Sequence, residues 1–239
     1  MQSFDNKQQI KDTGLSKFTA LVYLYTGLGM AFWLLSAFGL AKNPAISIPF
    51  LKWSMQHSVI STLVMIFVPI MLLYLCNAFA RTSYFMTFVC YLAFLFTLSF
   101  SGLPMFYVYS PKSIIQAISM SAITFVIFAA YGYFTKSDLM SWGKILSIGL
   151  IAIIVISLLD IFLFKSPMVE LFINIISIVI FLALIAFDSQ NLKRIYFVGS
   201  RTSSNLGGLA LMASIDLILD LINLIMSFLA IFGNSDNNN

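Results

Sequence analysis

Of 239 residues, 60% are hydrophobic and only 9% charged, against about a quarter charged in soluble globular domains, so a water-soluble core is excluded and the bilayer must act as the solvent. The length holds about seven spans of roughly 20 residues with short connections, leaving little for a separate extramembrane domain. The net charge of +4 does not indicate nucleic-acid binding, because the cations sit at the ends of apolar runs, where they orient membrane helices and meet lipid headgroups.

In chain order, residues 1–17 are polar and of mixed charge, which reads as a short flexible tail on the cytoplasmic side. Seven apolar runs follow, near 18–40, 57–80, 84–104, 113–134, 142–164, 168–188 and 206–232. Hydrocarbon offers no partner for an unpaired backbone group, and the runs are too long and too uniformly apolar for barrel strands, so helices are required. The first run exceeds the roughly 7 to 15 residues of a signal-peptide core and reads as a retained helix. The expected class is therefore an all-α integral membrane protein of seven transmembrane helices over 18–233. Pro69 falls inside the second run and is expected to kink it, whereas Pro44, Pro49, Pro104, Pro111 and Pro167 fall at or near run ends as breakers. Residues 234–239 read as a disordered tail.

Orientation follows from the cations. With seven spans, one side holds Lys7, Lys11, Lys17, Arg81, Lys136, Lys144, Lys193, Arg194 and Arg201, and the other Lys42, Lys52, Lys112 and Lys165, nine against four of the 13 in the chain. The positive-inside rule then places the N-terminus in the cytoplasm and the C-terminus outside; a re-entrant last run would return the C-terminus to the cytoplasm. Cys76 and Cys90 lie within apolar runs without metal or redox spacing and read as small buried hydrophobes.

Four of the nine acidic residues, Asp160, Asp188, Asp216 and Asp220, lie in or at the edges of apolar runs. An ionised carboxylate there is costly, and an intramembrane acid is a functional candidate by default. Asp216 and Asp220 are four apart, so they share one helix face, which is expected to look inward. Carboxylates held close in a low dielectric repel, so proton uptake by such a group is coupled, and their oxygens suit Ca²⁺ or Na⁺. The alternative is that these acids fix helix packing through hydrogen bonds, an alternative at its strongest for Asp160. His57, at the start of the second run, has no visible partner and reads as an interfacial anchor; Asp138 reads as solvated. Trp33, Trp53 and Trp142 fit aromatic belts, with Trp33 the one that could lie deeper. Gly207 and Gly208 read as a site of close packing or a bend rather than nucleotide binding.

Residues 182–196, LALIAFDSQNLKRIY, and 206–233, LGGLALMASIDLILDLINLIMSFLAIFG, resemble the closing signature of the Bax inhibitor-1 family, the transmembrane Bax-inhibitor-motif proteins, and 131–143, YGYFTKSDLMSWG, resembles that family's connection after the fourth span. The resemblance covers most of the chain from about residue 18. It implies a seven-helix fold with the last helix central and ringed by the other six, and a pH-sensitive Ca²⁺ leak with paired aspartates on the last two spans as the sensor. Carried onto this chain, Asp188 and Asp220 match those aspartates, and Asn223 matches the asparagine of the Leu-Asp-Leu-Ile-Asn stretch. Asp216 departs from the pattern, which is uncharged there. Straight-helix arithmetic puts Asp188 about 30 Å, Asp216 about 25 Å and Asp220 about 20 Å from the outer ends of their spans. Either the seventh helix is offset so that Asp188 and Asp220 meet, or Asp216 shares the site. Arg81, in the connection after the second span, is the candidate cation of a latch on Asp188 that protonation would release; the alternative is a headgroup-level cation, a choice that applies equally to Lys193 and Arg194.

Three functions compete. The first is a pH-sensitive calcium leak channel or cation pathway gated by buried aspartates, with Ca²⁺ and H⁺ as its ions, no cofactor, and Asp188 and Asp220 as possible Ca²⁺ ligands. The second is a regulatory module acting on other membrane proteins, such as a protease or a stress pathway component, without transport. The third, an intramembrane aspartyl enzyme, lacks the Tyr-Asp and Gly-x-Gly-Asp contexts around Asp188 and Asp220, so a non-enzymatic role is expected. The compact chain points to a bacterial plasma membrane, with an organellar or endoplasmic-reticulum membrane as the alternative.

Overall fold

The structure, a computed structural model, describes residues 2–160, 166–202 and 204–234, with side chains from Thr13 onward. Long apolar runs become helices, and among the described residues seven are long and apolar enough to cross a membrane. The helices are α1 (Gln2–Lys42), α2 (Pro44–Gln56), α3 (Ser58–Ala80), α4 (Tyr84–Gly102), α5 (Met105–Val108), α6 (Pro111–Phe134), α7 (Gly143–Leu159), α8 (Pro167–Arg201) and α9 (Leu206–Phe232), with a 3₁₀ turn at Leu139–Trp142 before α7. Among the described residues there is no strand. Large apolar side chains stand exposed along the spans, Leu35, Phe85, Phe134 and Ile145 at 68–77%. Such a surface is stable against lipid rather than water.

The runs differ from the helices at three places, each for a physical reason. The segment 1–17 is helical from Gln2 rather than an irregular tail, because nothing in it breaks the helix that continues into the first span. The first connection folds into α2, with Pro44 at its first turn and Asn43 Oδ1 accepting from Ala45 N at 3.2 Å. Pro49 therefore sits inside a short helix instead of ending one. The largest departure is α8, which runs 35 residues to Arg201 where the hydropathy stops near 188. Its buried stripe carries on past the acid at Ser189, Leu192, Tyr196 and Gly199, a spacing of three and four that keeps one face packed while polar residues take the other. Pro69 lies buried within an unbroken α3. The asparagine-rich tail falls outside the described residues from 235 onward.

The chain divides into two compact units. The first holds residues 1–104 and 192–216. Its α1 and α4 are joined by Trp33, fully buried, whose Nε1 donates to the Leu98 carbonyl at 3.1 Å. Ser99 Oγ donates to the Trp33 carbonyl at 3.3 Å and Tyr91 Oη to that of Tyr25 at 2.8 Å. Trp33 is thus a core residue, not part of an aromatic belt. The thiol of buried Cys76 donates to the Thr87 carbonyl at 3.5 Å, in keeping with a packing role. At the start of α9, Asn205 N donates to the Arg81 carbonyl at 3.1 Å, and Asn205 Oδ1 accepts from Gly208 N at 3.1 Å. A Cβ on Gly208 would collide with the Ala80 carbonyl, so this glycine does permit close helix packing.

The second unit holds residues 105–191 and 217–239. Leu146, Phe181 and Leu184 form a buried cluster joining α7 to α8, with Leu150, Ile180, Ala183 and Phe187 packed against it. The α9 segment ends where Asn234 N donates to Ser113 Oγ at 3.0 Å and Ser110 N donates to the Asn234 carbonyl at 3.2 Å, fastening the end of the last helix to the start of α6. Of the seven spans, α9 is the most buried, with 56% of its most apolar stretch inside the protein, and the span of α7 the least, with 6%.

Candidate functional site

Asp188 lies on α8, 21 residues from Pro167, or about 32 Å along the axis. It is half-buried. Two sequence stretches that looked like separate signatures meet around it. Gln190, one residue beyond Ser189, turns its amide onto the connection after α6: Oε1 accepts from Leu139 N at 2.8 Å and Nε2 donates to the Ser137 carbonyl at 2.7 Å. A Cβ on Gly132 would run into the Ala186 carbonyl, and one on Gly143 would stand 2.8 Å from the Phe187 ring. Thus the glycines of YGYFTKSDLMSWG bring α6 and α7 against the turn of α8 just before the acid, and Gln190 fastens the connection just after it. Sequence reasoning passed over Gln190; the signal was its place beside an intramembrane aspartate, where an amide has the reach and both hydrogen-bond types to hold a loop.

Replacing Gln190 by Ala should remove both bonds and cost about 1–3 kcal/mol of local stability. Amide hydrogen exchange at 137–139 checks this: a large acceleration is expected there, with the α9 amides unchanged, whereas equal protection in both proteins would remove the clamp.

On α9, Asp220 is 5% exposed and Asp216 is exposed. Asp220 is therefore the shielded acid of the pair and Asp216 the accessible one. Residues four apart are rotated by about 40°, and that rotation is enough to move one of them out of the packed stripe. Between Leu206 and Leu229, Asp216 is the single exposed residue of α9. In a chain carrying one cysteine at a time, with Cys76 and Cys90 replaced by Ser, Asp216→Cys should react with a membrane-impermeant maleimide at least about tenfold faster than Asp220→Cys. Equal rates would contradict the burial difference.

The two units divide the acids. Asp188 and Asp220 fall in the second, each three residues inside the segment its helix contributes, which on α8 ends at Asn191 and on α9 begins at Leu217; Asp216 falls in the first. Along α9, Asp216 is about 24 Å and Asp220 about 18 Å from Phe232. Asn223 turns its amide to its own helix, Nδ2 donating to the Leu219 carbonyl at 2.7 Å. Ser189, next to Asp188, and Ser121 on α6 are fully buried, and neither hydroxyl makes a hydrogen bond among the described residues. Neither serine was a candidate from sequence.

The remaining candidates have local roles. Asp160 Oδ1 accepts from Ser166 N at 3.2 Å, which is the packing alternative for that acid. Asp138 is exposed and caps the 3₁₀ turn, accepting from Met140 N at 3.0 Å. His57 is exposed between α2 and α3, with its ring 6.4 Å from that of Trp53, as an interfacial anchor would be. Arg81 caps α3 with its side chain exposed, and its backbone carbonyl is what holds Asn205. Among the described residues no group of three or more His, Cys, Asp or Glu is placed to hold a metal ion.

The family model described as "Inhibitor of apoptosis-promoting Bax1" matches residues 15–237. An uncharacterised membrane protein of Streptococcus pyogenes is 32% identical over 238 residues, covering 94% of this chain and 96% of its own. An uncharacterised protein of Rickettsia prowazekii is 31% identical over 232 residues, covering 96% and 94%. The inner membrane protein YbhL of Escherichia coli is 36% identical over 130 residues, 54% of this chain and 55% of its own. With seven membrane-length helices among the described residues, two of the three sequence stretches meeting around the α8 acid, and a family match over nearly the whole length, the chain belongs to the Bax inhibitor-1 family of multi-pass membrane proteins.

Proposed function

We propose that this protein is a pH-sensitive cation leak pathway that passes Ca²⁺, gated by proton uptake at Asp188 and Asp220. The observation that carries the reading is a carboxylate at 5% exposure in the middle of the most buried span, in the same unit as the half-buried acid of α8. An acid in such a position persists at a cost of roughly 2.5–3.5 kcal/mol on insertion scales, which a role in packing alone does not require. The buried, unbonded hydroxyls of Ser121 and Ser189 support a hydrated path in the same unit, since a water or a partly hydrated ion would satisfy them. Asp188 and Asp220 are the paired sensor and the candidate Ca²⁺ ligands; exposed Asp216 is an acid at the approach. The last helix is the central element on this reading, the membrane is a bacterial plasma membrane, and the N-terminus is cytoplasmic.

The test is Ca²⁺ flux in proteoliposomes from about pH 6 to about pH 8, for the parent chain, Asp188→Asn and Asp220→Asn. A parent that passes no Ca²⁺ at any pH sinks the transport reading and leaves a regulatory membrane protein. Arg81→Ala belongs in the same series: a latch on Asp188 predicts a shifted pH profile, whereas its exposed position at the end of α3 predicts an unchanged one.

A further inference from the structure

A groove of about 440 Å³ runs along the outside of the second unit between α6 and the last turns of α9. Most of its wall and floor is apolar: Ile115, Met120 and Ile123 from α6, and Phe228 and Phe232 from α9, whose rings stand 6.2 Å apart. Phe228 is 7% exposed and closes the bottom, while Ile115 and Ile123 are more than 60% exposed along the sides. Three polar residues share the lining; the hydroxyls of Ser113 and Ser119 are bonded within the protein, which leaves Gln116. Gln116 is exposed on it, five residues or about 7.5 Å into α6, and no hydrogen bond joins its amide to another described residue. With no partner among the described residues, this amide at the border of the apolar face is met by a polar group from outside the protein.

What surrounds Gln116 states the chemistry of that group. Lys112, also exposed, is four residues earlier and so lies on the same face one turn nearer the start of the helix. The start of α6 adds the positive end of a 24-residue helix. From Lys112 through Gln116 to Ile123 the surface thus passes from cationic to amide to apolar over about 17 Å along the helix axis. That gradient complements a phosphodiester followed by glycerol esters and an acyl chain. A peptide would need backbone partners the trough does not offer, since the hydroxyls of Ser113 and Ser119 are already bonded within the protein and the rest of the deeper lining is aliphatic or aromatic.

We propose that this groove is a binding site for one membrane glycerophospholipid, its phosphate at Lys112, its ester region at Gln116 and one acyl chain in the trough over Phe228. The site lies on the helix that carries Asp220, two turns further along, but it does not depend on the leak function: the lipid would occupy it in a protein that passed no ion.

Lipid retention on the purified full chain tests it, read by native mass spectrometry after exchange with phosphatidylglycerol, phosphatidylethanolamine or diacylglycerol. Both phospholipids should be retained and diacylglycerol should not, because only the first two carry the phosphodiester. Lys112→Glu should weaken retention about tenfold, the order of one charge-assisted contact. Ile123→Trp should reduce it at least as much by filling the trough, and Ile151→Trp, at an equally exposed position of α7, should leave it unchanged. A phospholipid carrying a photoreactive acyl chain should label residues 115–123. Each variant is taken only if its thermal unfolding matches the parent's. Equal retention of diacylglycerol, equal retention by Lys112→Glu and Ile123→Trp, or labelling spread evenly over the spans would each overturn the proposal.

Discussion

In proteoliposomes Asp220→Asn should pass Ca²⁺ at a rate independent of pH between about 6 and about 8, where the parent's rate changes by up to about tenfold per pH unit, the slope of a single proton event. Asparagine keeps the size and much of the hydrogen-bonding capacity of aspartate but cannot ionise, so the substitution removes the titration without opening a cavity. Asp220 is 5% exposed, and every packed neighbour is retained. The same variant should unfold at a higher temperature, because a chargeable group kept from water costs stability, on the order of 1–3 kcal/mol. The two readouts together separate function from packing. If Asp220 serves only as a hydrogen-bond strut, Asp220→Asn loses stability and keeps the pH profile. Asp216→Asn is the companion measurement. Its exposed position in the other unit predicts a surviving pH response with at most a displaced midpoint, while abolition of the response by Asp216→Asn and not by Asp220→Asn would reassign the partner of Asp188.

Gly132→Val should be the most destabilising single change in the second unit, by about 3 kcal/mol or more, read from thermal unfolding in detergent. A Cβ there would meet not a side-chain tip but the carbonyl and Cα of Ala186, and backbone cannot rotate away. Relief requires α6 and α8 to separate, which strains the Gln190 clamp and displaces Asp188 together with the loss of stability. The contrast is Gly27, in the interior of α1, where a Cβ would have nothing within 4 Å. Gly27→Ala should be neutral or stabilise by up to about 1 kcal/mol, since it restricts the unfolded chain and suits a helix. Equal effects at the two positions would mean that the close approach of α6 to α8 carries no energy.

How much of this was legible in the chain depended on whether the property is local. Seven spans could be read because hydrophobic run length is a one-dimensional quantity and the bilayer imposes helix on any such run. Intramembrane acids stand out for the same reason: Asp188, Asp216 and Asp220 are conspicuous in runs that hold almost no other charge. The stretches 131–143 and 182–196 could be matched to a family, but not to each other, because Gly132, Gly143 and Gln190 show their use only when α6, α7 and α8 are packed.

Tertiary structure alone decided the rest. Hydropathy ends the sixth span near the acid, yet α8 continues to Arg201, since a helix stops where its packing and backbone hydrogen bonding stop, not where its composition turns polar. Spacing puts Asp216 and Asp220 on one face of α9. Which of them is shielded is set by neighbouring helices far away in sequence, and a rotation of about 40° between them leaves Asp220 enclosed and Asp216 open.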